Sequence, residues 1–556
     1  MWNQSGSTLG GIFIDNAVPV PVAALVPAVH LRFHLWFQSL LSIPLPSVPS
    51  LRRNVAMAVL PTSGYVGTLT PTEEAKLQEF WTLLFTTVAS LLSAVYDVPK
   101  PQGSPNDLFK LLNNIKEPTV DGILDALKSK PSETNGTNGT NGTSNGTNGA
   151  VAEESLDKAE SLVNKADGKT ILDQLSKEKV TKAHLTTLAA DMHKAGLHDA
   201  EIKCMEKILT KMSLAEMCFA LLKMAKQEHP DTLLLRFLRA RKWDVNKAFG
   251  MMANAIYWRQ TFQVDDDVVP KGELHAWNQA HDTSISKAEQ KEGKDFIAQL
   301  EMGKSYLHGL DRQGRPVNIV RVKLHKPGAQ TAAALERYIV HVIESTRILV
   351  APPVETGTIL FDMTGFTLGN MEYHPVKFII QCFEANYPES LGLLLIHNAP
   401  WIFSGIWKII HGWMDPVVAS KVQFTKNIND LDKFIPREKI PKELGGDQDF
   451  TYKYIEPVTD ENAIMADKAA GDSAMVHRMM TGLSFVAATA AWISASADAR
   501  KGGSASEEET KKHLAERRDE VIERFRQSYW KLDPYVRARA LIDRRGAIKD
   551  GVVHDF

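Results

Sequence analysis

Short apolar runs that alternate with helical segments constrain the fold of this chain more than any other feature. The runs predicted as strands are 317–322, 358–362, 391–397 and 421–425. The segments between them, which have apolar residues at helical spacing, are 335–350, 374–387 and 402–414. Strands that alternate with helices need crossover connections, which are right-handed in a mostly parallel sheet. The pattern therefore predicts an α/β domain.

Helical regions are predicted on both sides of this domain. Thr70, Pro71 and Glu73 form a capping signature that predicts a helix start, and a periodic apolar stripe follows it. A shorter helix is predicted at 106–115. The predicted organisation is a disordered leader at 1–56, a helical segment at 57–131, a linker at 132–155, a helical lobe at 156–265, the α/β domain at 280–455 and a helical extension at 456–556.

Three segments outside the α/β region have unusual composition. Residues 134–149 are Thr, Asn, Gly and Ser only, so they cannot bury enough surface to offset their chain entropy. The apolar leader at 1–56 is interrupted by several prolines, which favours disorder over a membrane-spanning helix and over a targeting signal. The uncharged stretch 479–495 approaches the length of a membrane span, but its small residues favour a helix packed on the protein.

Composition and motifs argue against several functional classes. The formal net charge is -2, from 64 basic and 66 acidic residues, so no overall attraction to nucleic acid is expected. Cys204, Cys218 and Cys382 have neither disulfide-framework nor metal-site spacing. The chain contains no glycine-rich phosphate loop after a strand, no zinc-protease motif and no nucleophile elbow. We therefore expect a protein that binds without catalysis and holds no metal.

Three motifs in a fixed order resemble the CRAL-TRIO family of lipid carriers. The first is LLLRFLRARKWDV at 233–245, followed by Trp258 and Arg259, and the second is DRQGRPV at 311–317. The third consists of NYPE at 386–389, NAPWIF at 398–403, DPV at 415–417 and LGG at 444–446. The resemblance covers roughly residues 205–455.

The resemblance implies a sheet that floors a deep apolar pocket, beside an all-helical N-terminal lobe. It implies that a phospholipid enters whole, with its acyl chains inside, so the ligand is a bound phospholipid and no cofactor is needed. It places the pocket floor at Gly357, Ile359 and Phe361 and implies that a helix gates the mouth. The gate residues are Trp401, Ile402, Phe403, Ile406, Trp407, Ile410, Trp413 and Met414. A helix that is apolar on nearly every side suits one face on lipid and another on a bilayer.

Five charged residues match the phosphatidylinositol head-group site of the family. They are Arg241 and Lys242 at the end of the RFLRARK stretch, Asp311 before the GRP turn, Glu389 of the YPE motif and Lys421 after the DPV motif. An inositol phosphate needs cations for its phosphodiester and acceptors for its ring hydroxyls. Glu389 and Lys421 adjoin two predicted strands, and parallel neighbours would place both side chains at one sheet edge.

Four positions depart from the members that bind phosphatidylcholine. The strand hydroxyl groups that hold choline phosphate are replaced by Gly357 and Ile359, and two tyrosines are replaced by Leu307 and Asn318. A choline head group would therefore lose its hydrogen-bonding partners. The chain resembles the fungal phosphatidylinositol transfer proteins of the CSR type, the branch that does not bind phosphatidylcholine.

The resemblance implies a soluble carrier that transfers or presents phosphatidylinositol between membranes. It is expected in the cytoplasm, in transient contact with endoplasmic reticulum, endosome or lipid-droplet membranes, with protein partners at its terminal extensions. One alternative is a carrier of another apolar ligand, such as a sterol, squalene or a tocopherol, which needs no charged pair. Another is a lipid-regulated interaction scaffold. Haem is disfavoured because the floor strand 358–361 has neither Tyr nor His.

We expect a chain that lacks 1–56 and 132–150 to bind lipid as the full-length chain does. Neither segment has a periodic apolar face or a head-group residue. Lipid extraction from liposomes by the purified proteins measures this, with thermal unfolding as the check on folding. A deleted chain that folds and extracts no lipid would contradict the expectation.

Overall fold

The computed structural model describes residues 63–96, 156–157, 160–161, 168–500, 504–549, 551–554 and 556. The leader at 1–56, the linker at 132–155 and the helix predicted at 106–115 lie outside the described residues. The helices, numbered in chain order, are α1 Pro71–Val95, α2 Gly168–Lys177, α3 Lys182–Lys194, α4 Asp199–Leu209, α5 Leu214–Ala225, α6 Pro230–Ala240, α7 Val245–Thr261, α8 Val269–His281, α9 Lys287–Glu301, α10 Ala332–Leu349, α11 Tyr373–Gln381, α12 Phe403–His411, α13 Pro416–Ser420, α14 Ile428–Asp432, α15 Lys468–Arg500, α16 Ala505–Val536 and α17 Leu541–Arg544. The strands are β1 Ser305–Leu310, β2 Pro316–Arg321, β3 Gly357–Asp362, β4 Leu391–His397, β5 Val422–Thr425, β6 Ile548–Lys549 and β7 Val552–Val553.

A five-stranded sheet with the order β1-β2-β3-β4-β5 forms the centre of the α/β domain. Strands β2 to β5 pair in parallel, and β1 pairs antiparallel with β2. The prediction of a mostly parallel sheet is therefore confirmed. Strand β1 was not predicted, because His308 and Gly309 interrupt its apolar residues. In the structure its register with β2 shifts between Leu307 and Leu310.

Most of the predicted segments differ from the structure by a few residues at one end or both, and two of these differences lie close to predicted site residues. The helix predicted at 374–387 is divided into α11 and a π-helical turn at Cys382–Asn386. The strand predicted from Lys421 begins one residue later, because the Lys421 amide donates to the Val418 carbonyl and so ends α13. Lys421 therefore lies at the start of β5.

A helical lobe formed by α1 to α7 and the long helices α15 and α16 shares one apolar core. The predicted start of α1 is confirmed, since the Thr70 amide donates to Glu73 at 2.8 Å and the Glu73 amide donates to the Thr70 hydroxyl at 3.3 Å. The largest fully buried side chains of this core include Trp81, Phe80, Phe237, Phe249, Phe485 and Phe525. The C-terminal extension thus completes the N-terminal lobe.

Helix α15 is long and apolar enough, by length and composition, to cross a membrane, and among the described helices it is alone in this. In this structure 67% of its most apolar stretch is buried. Phe485, Trp492 and Ile493 belong to the lobe core, and a Cβ on Gly482 would lie 2.4 Å from Leu222 Cδ1. The small residues of α15 therefore allow close packing against the lobe.

A buried carboxylate, Asp231, ties three distant parts of the chain together. It accepts two hydrogen bonds from the Arg518 guanidinium, at 2.6 and 2.8 Å, and one from Trp81 Nε1 at 2.7 Å. Burial by itself would raise the pKa of Asp231, but the Arg518 charge and these hydrogen bonds outweigh it and lower the pKa. Helices α1, α6 and α16 are joined at this point.

We expect Asp231→Ala to destabilise the protein by about 3–5 kcal/mol, because it leaves the Arg518 charge buried without its partner. Urea unfolding measures the loss. Since folding lowers the pKa of Asp231, its contribution is complete above about pH 4 and is lost as the pH falls further. Glu79→Ala breaks the exposed pair with Lys76 and should cost at most about 1 kcal/mol. Equal losses in the two variants would contradict this role.

Candidate lipid-binding site

An apolar cavity of about 240 Å³ lies between the sheet and helices α10, α11 and α12. Successive strand residues face opposite sides of a sheet, so alternate residues of β3 and β4 reach the cavity. Leu360 and Leu395 point the other way, into a second apolar cluster. The apolar middle of the cavity wall includes Leu335, Ile339, Val342, Ile343, Ile359, Phe361, Val376, Ile379, Ile380, Leu391, Leu394 and Ile396.

The three residues predicted as the pocket floor all line this cavity. Gly357, Ile359 and Phe361 follow each other at a spacing of two along β3. A Cβ on Gly357 would lie 3.0 Å from Thr346 Cγ2 of α10. The missing side chain at Gly357 therefore keeps β3 and α10 close at the cavity end where the strand begins.

The helix predicted as the gate has an inner and an outer face. Phe403, Trp407 and Ile410 of α12, with Met414 beyond it, line the cavity. Ile406 is buried in the same cluster, and Ile402 and Trp413 pack against it. On the outer side Trp401 is 86% exposed and Ile409 is 48% exposed. Large apolar side chains thus cover the cavity and also face outward.

Polar groups occupy both ends of the cavity. At the end where the parallel strands begin, the wall contains Arg236, Arg347, Glu355 and Ser390. Toward the other end it contains Lys304, Ser305, His325, Tyr338 and Glu372, while Asn318 lies between, where it pairs with Ile359. Glu355 was not predicted as a site residue from the sequence. It stands two residues before β3, as Glu389 stands two residues before β4, so its position relative to the strand could have identified it. No comparable position or pattern in the sequence marks Lys304, His325 or Glu372 as site residues.

Two of the predicted head-group residues form an ion pair. Lys421 Nζ lies 2.9 Å from Glu389 Oε2, and the two side chains are 19% and 14% exposed. Both residues stand at the beginning of parallel neighbouring strands, β4 and β5. Neither belongs to the cavity wall, but Ser390 and Leu391, which follow Glu389, do. The pair therefore flanks the cavity end at which the strands begin.

The basic pair Arg241 and Lys242 lies just beyond α6. The Arg241 guanidinium donates to the Ala240 carbonyl, and Lys242 is exposed with φ +51°. Upstream on the same helix, Arg239 donates to Glu355 at 3.2 Å. Glu355 precedes β3, whose Gly357 amide donates to the Ser390 carbonyl. The end of α6 thus adjoins this strand edge, although none of the described contacts joins Arg241 or Lys242 to the Glu389–Lys421 pair.

Asp311, the fifth predicted head-group residue, bonds to the protein through both carboxylate oxygens. It accepts from Arg315 Nε and Thr358 Oγ1, each at 2.6 Å. It also accepts from the backbone amides of Gln313 and Arg315. Its side chain is fully buried and lies outside the cavity wall. In this structure Asp311 fixes the turn that leads into β2.

An α/β domain with an apolar cavity under an apolar helix, beside a helical lobe, defines a class of lipid-binding domain. The model of the CRAL/TRIO domain matches residues 300–446, and that of the CRAL/TRIO N-terminal domain matches residues 206–254. The chain is 42% identical over 327 residues to phosphatidylinositol transfer protein CSR1 of Eremothecium gossypii, covering 59% of this chain and 70% of that protein. The chain belongs to the CRAL-TRIO family.

Two further relatives agree with this assignment. A CRAL-TRIO domain-containing protein of Schizosaccharomyces pombe, C3H8.02, is 38% identical over 327 residues, which cover 59% of this chain and 68% of that protein. Phosphatidylinositol/phosphatidylcholine transfer protein SFH4 of Arabidopsis thaliana is 29% identical over 231 residues, covering 38% of this chain and 33% of that protein. The similarity to the two fungal proteins extends well beyond the matched domains.

We expect Trp401→Ala and Ile409→Ala to weaken binding to liposomes while lipid already loaded is retained. Complete withdrawal of a large apolar side chain from water is worth about 1.5–3 kcal/mol, or roughly tenfold to a hundredfold in partitioning. Liposome co-sedimentation measures binding, and Ile464→Ala, an exposed apolar residue outside the gate, is the control. Unchanged sedimentation of both gate variants would contradict a membrane role for this face.

Proposed function

We propose that this chain carries phosphatidylinositol, taking it from one membrane and transferring or presenting it at another, with little binding of phosphatidylcholine. The observation that carries the proposal is an apolar cavity under a two-faced helix, with a shielded Glu–Lys pair beside the cavity end. The name of the relative from Eremothecium gossypii, a phosphatidylinositol transfer protein, supports this choice of lipid.

The apolar middle of the cavity supplies most of the binding free energy in this proposal. Each methylene of an acyl chain withdrawn from water contributes about 0.8 kcal/mol. The aliphatic wall formed by α10, α11, β3 and β4 offers the chains no hydrogen-bonding partner, so it suits hydrocarbon of any saturation. The inner face of α12 closes over the chains, and its outer Trp401 enters the bilayer during exchange.

The Glu389–Lys421 pair supplies head-group selectivity in this proposal. A lysine ammonium has three donors, and Lys421 uses one on Glu389, which leaves donors for a phosphodiester. Glu389 can accept from the hydroxyls of the inositol ring through its remaining lone pairs. Arg241 and Lys242 supply further positive charge at the same edge, and Asp311 positions the β2 turn.

Backbone conformation supports a functional role for two of these residues. Glu389 has φ +53° and Lys242 has φ +51°, in the left-handed region that residues with a Cβ rarely adopt. The left-handed conformation of each residue costs on the order of 1 kcal/mol of folding free energy, and residues strained in this way cluster at binding sites.

Poor binding of phosphatidylcholine follows from the side chains along β1 to β3. A choline phosphate over this part of the cavity wall would meet Gly357, Ile359 and Asn318, of which only Asn318 has a hydrogen-bonding side chain, while Leu307 packs in another apolar cluster. A buried phosphate that lacks partners pays its desolvation without compensation. The proposal therefore restricts the carrier to the inositol lipid.

The proposal assigns no catalytic step to the chain, and the phospholipid is its ligand, with no cofactor. The carrier works in the cytoplasm and touches endoplasmic reticulum, endosome or lipid-droplet membranes transiently. Protein partners would bind the terminal extensions, and nucleic acid has no role. A carrier of a different apolar ligand is the second candidate, favoured by the position of all five head-group residues outside the cavity wall.

We expect the wild-type protein to transfer phosphatidylinositol between liposomes and to transfer phosphatidylcholine poorly. Lys421→Ala and Glu389→Ala should each lower phosphatidylinositol transfer roughly tenfold to a hundredfold, because a charge-assisted hydrogen bond of about 1.5–3 kcal/mol is lost. Lys433→Ala, which breaks an exposed pair with Asp430, is the matched control and should transfer normally.

Two results would refute these assignments separately. Comparable transfer of the two lipids by the wild-type protein would refute the selectivity. Undiminished phosphatidylinositol transfer by Lys421→Ala and Glu389→Ala, with melting temperatures near that of the wild type, would refute the head-group site and favour the carrier of a different ligand.

A further inference from the structure

The turn that presents Arg241 and Lys242 is contacted by a segment that lies far upstream in the sequence. Residues 63–69, which we call the strap, lead into α1 and lie outside both regions matched by the CRAL/TRIO models. The strap touches α6 and the turn that follows it. A part of the chain outside the matched regions therefore adjoins a predicted head-group element.

Arg239, the last arginine of α6, is held from two sides. Its Nη1 donates to the Gly64 carbonyl at 2.6 Å, and its guanidinium carbon lies 4.0 Å from the centre of the Tyr65 ring. Its Nη2 donates to Glu355 at 3.2 Å. The negative face of an aromatic ring attracts a cation, more strongly where water is excluded. Arg239 is therefore fixed between the strap and the residues that precede β3.

Trp243, on the other side of the basic pair, packs against the same strap. Gly64 is buried with φ +88°, and a Cβ built on it would lie 3.5 Å from Trp243 Cζ2 and 3.5 Å from Arg239 Cδ. The strap backbone is thus seated between the two side chains that flank Arg241 and Lys242.

The strap is itself anchored to α1. The Ser63 hydroxyl donates to Glu73, the residue that also completes the cap of this helix. The Thr68 hydroxyl donates to the Tyr65 carbonyl at 3.2 Å and closes a turn within the strap. Because α1 is joined to α6 through Asp231, the strap is carried on a helix that is already fixed to the lobe.

The backbone of the basic turn is strained and needs such support. Lys242 has φ +51° and Trp243 has φ +64°, so two successive residues with a Cβ adopt the left-handed conformation. Conformations of this kind persist only where the surrounding structure holds them. The Trp243 amide donates to the Leu238 carbonyl at 2.7 Å from within the turn, and the strap supplies contacts from outside it.

We propose that the strap positions Arg241 and Lys242 for the head group of the lipid. Tyr65 acts through Arg239, and the strap backbone acts through Trp243. This inference rests on the proposed function, in which the basic pair supplies positive charge at the strand-start edge. Tyr65 is a positioning residue, since loss of its ring frees Arg239 on one side and lets the turn relax away from the left-handed conformation.

Phosphatidylinositol transfer between liposomes by full-length variants tests this role. Tyr65→Ala should lower the transfer rate about twofold to tenfold, the loss that corresponds to a half-buried cation–π contact. Tyr65→Phe keeps the aromatic face and should transfer as the wild type does. Val66→Ala shortens an exposed side chain of the same strap and is the matched control.

A double-mutant cycle separates positioning from a general loss of stability. Tyr65→Ala is measured in the wild type and in the variant that combines Arg241→Ala with Lys242→Ala. If the strap acts through the basic pair, Tyr65→Ala should have no further effect on transfer in the second background. A purely structural role would lower transfer by the same factor in both backgrounds.

Hydrogen exchange provides a readout that does not depend on the cargo. Tyr65→Ala should speed exchange of the Trp243 amide about twofold to tenfold, because the turn opens more often when one support is lost. Tyr65→Phe and Val66→Ala should leave this exchange rate at the wild-type value. Unchanged exchange in Tyr65→Ala would refute the strap as a support of the turn, whichever lipid is carried.

The transfer outcomes distinguish this inference from the carrier proposal. Wild-type transfer by Tyr65→Ala, or an equal loss in both backgrounds, would overturn the positioning role. If Lys421→Ala abolishes transfer in the same experiment, the carrier proposal stands without it. Wild-type transfer by the variant without both basic residues would overturn the positioning role and also remove Arg241 and Lys242 from the proposed head-group site.

Discussion

A buried ion cluster around Glu344 fixes the wall of the cavity to the helical lobe, and the rest of the site depends on it. Glu344 of α10 accepts from Arg259 of α7 at 2.8 Å, from Tyr387 of the NYPE motif at 2.8 Å, and from Lys226 after α5. Burial would raise the pKa of Glu344, but Arg259 and Lys226 outweigh it and lower the pKa. Since removal of one partner would strand a buried charge, α10 is held firmly where it lines the cavity.

Buried ion pairs also divide the RFLRARK stretch at 236–242 into two parts. Arg236 is buried and donates to Glu228 and to the Glu355 carbonyl, while Arg347 of α10 donates to the same Glu228. The first half of the stretch therefore binds protein and holds the lobe against the start of β3. Arg241, one turn further on, lies past the end of α6 and is free of such ion pairs among the described residues. Part of this basic stretch is therefore structural, and Arg241 at its end takes no part in those ion pairs.

The parts of the fold that the sequence predicted are those with a strong local pattern. Strands β2, β3 and β4 are buried on both faces, so their continuous apolar runs were readable, whereas β1 contains His308 and Gly309 and was missed. The contact between Glu389 and Lys421 followed from their positions before neighbouring strands. The cluster of Lys304, His325 and Glu372 could not be predicted, because three loops distant in sequence bring it together and no periodicity marks any of them.

A cavity with polar groups at both ends restricts how any one ligand can lie in it. A lipid anchored at the strand-start end directs its chains toward the desolvated Lys304, which hydrocarbon cannot compensate. At the strand-start end, the charges of Arg236 and Arg347 are already balanced by Glu228 and Glu344. The cost of burying a chain end is therefore lower at the arginine end.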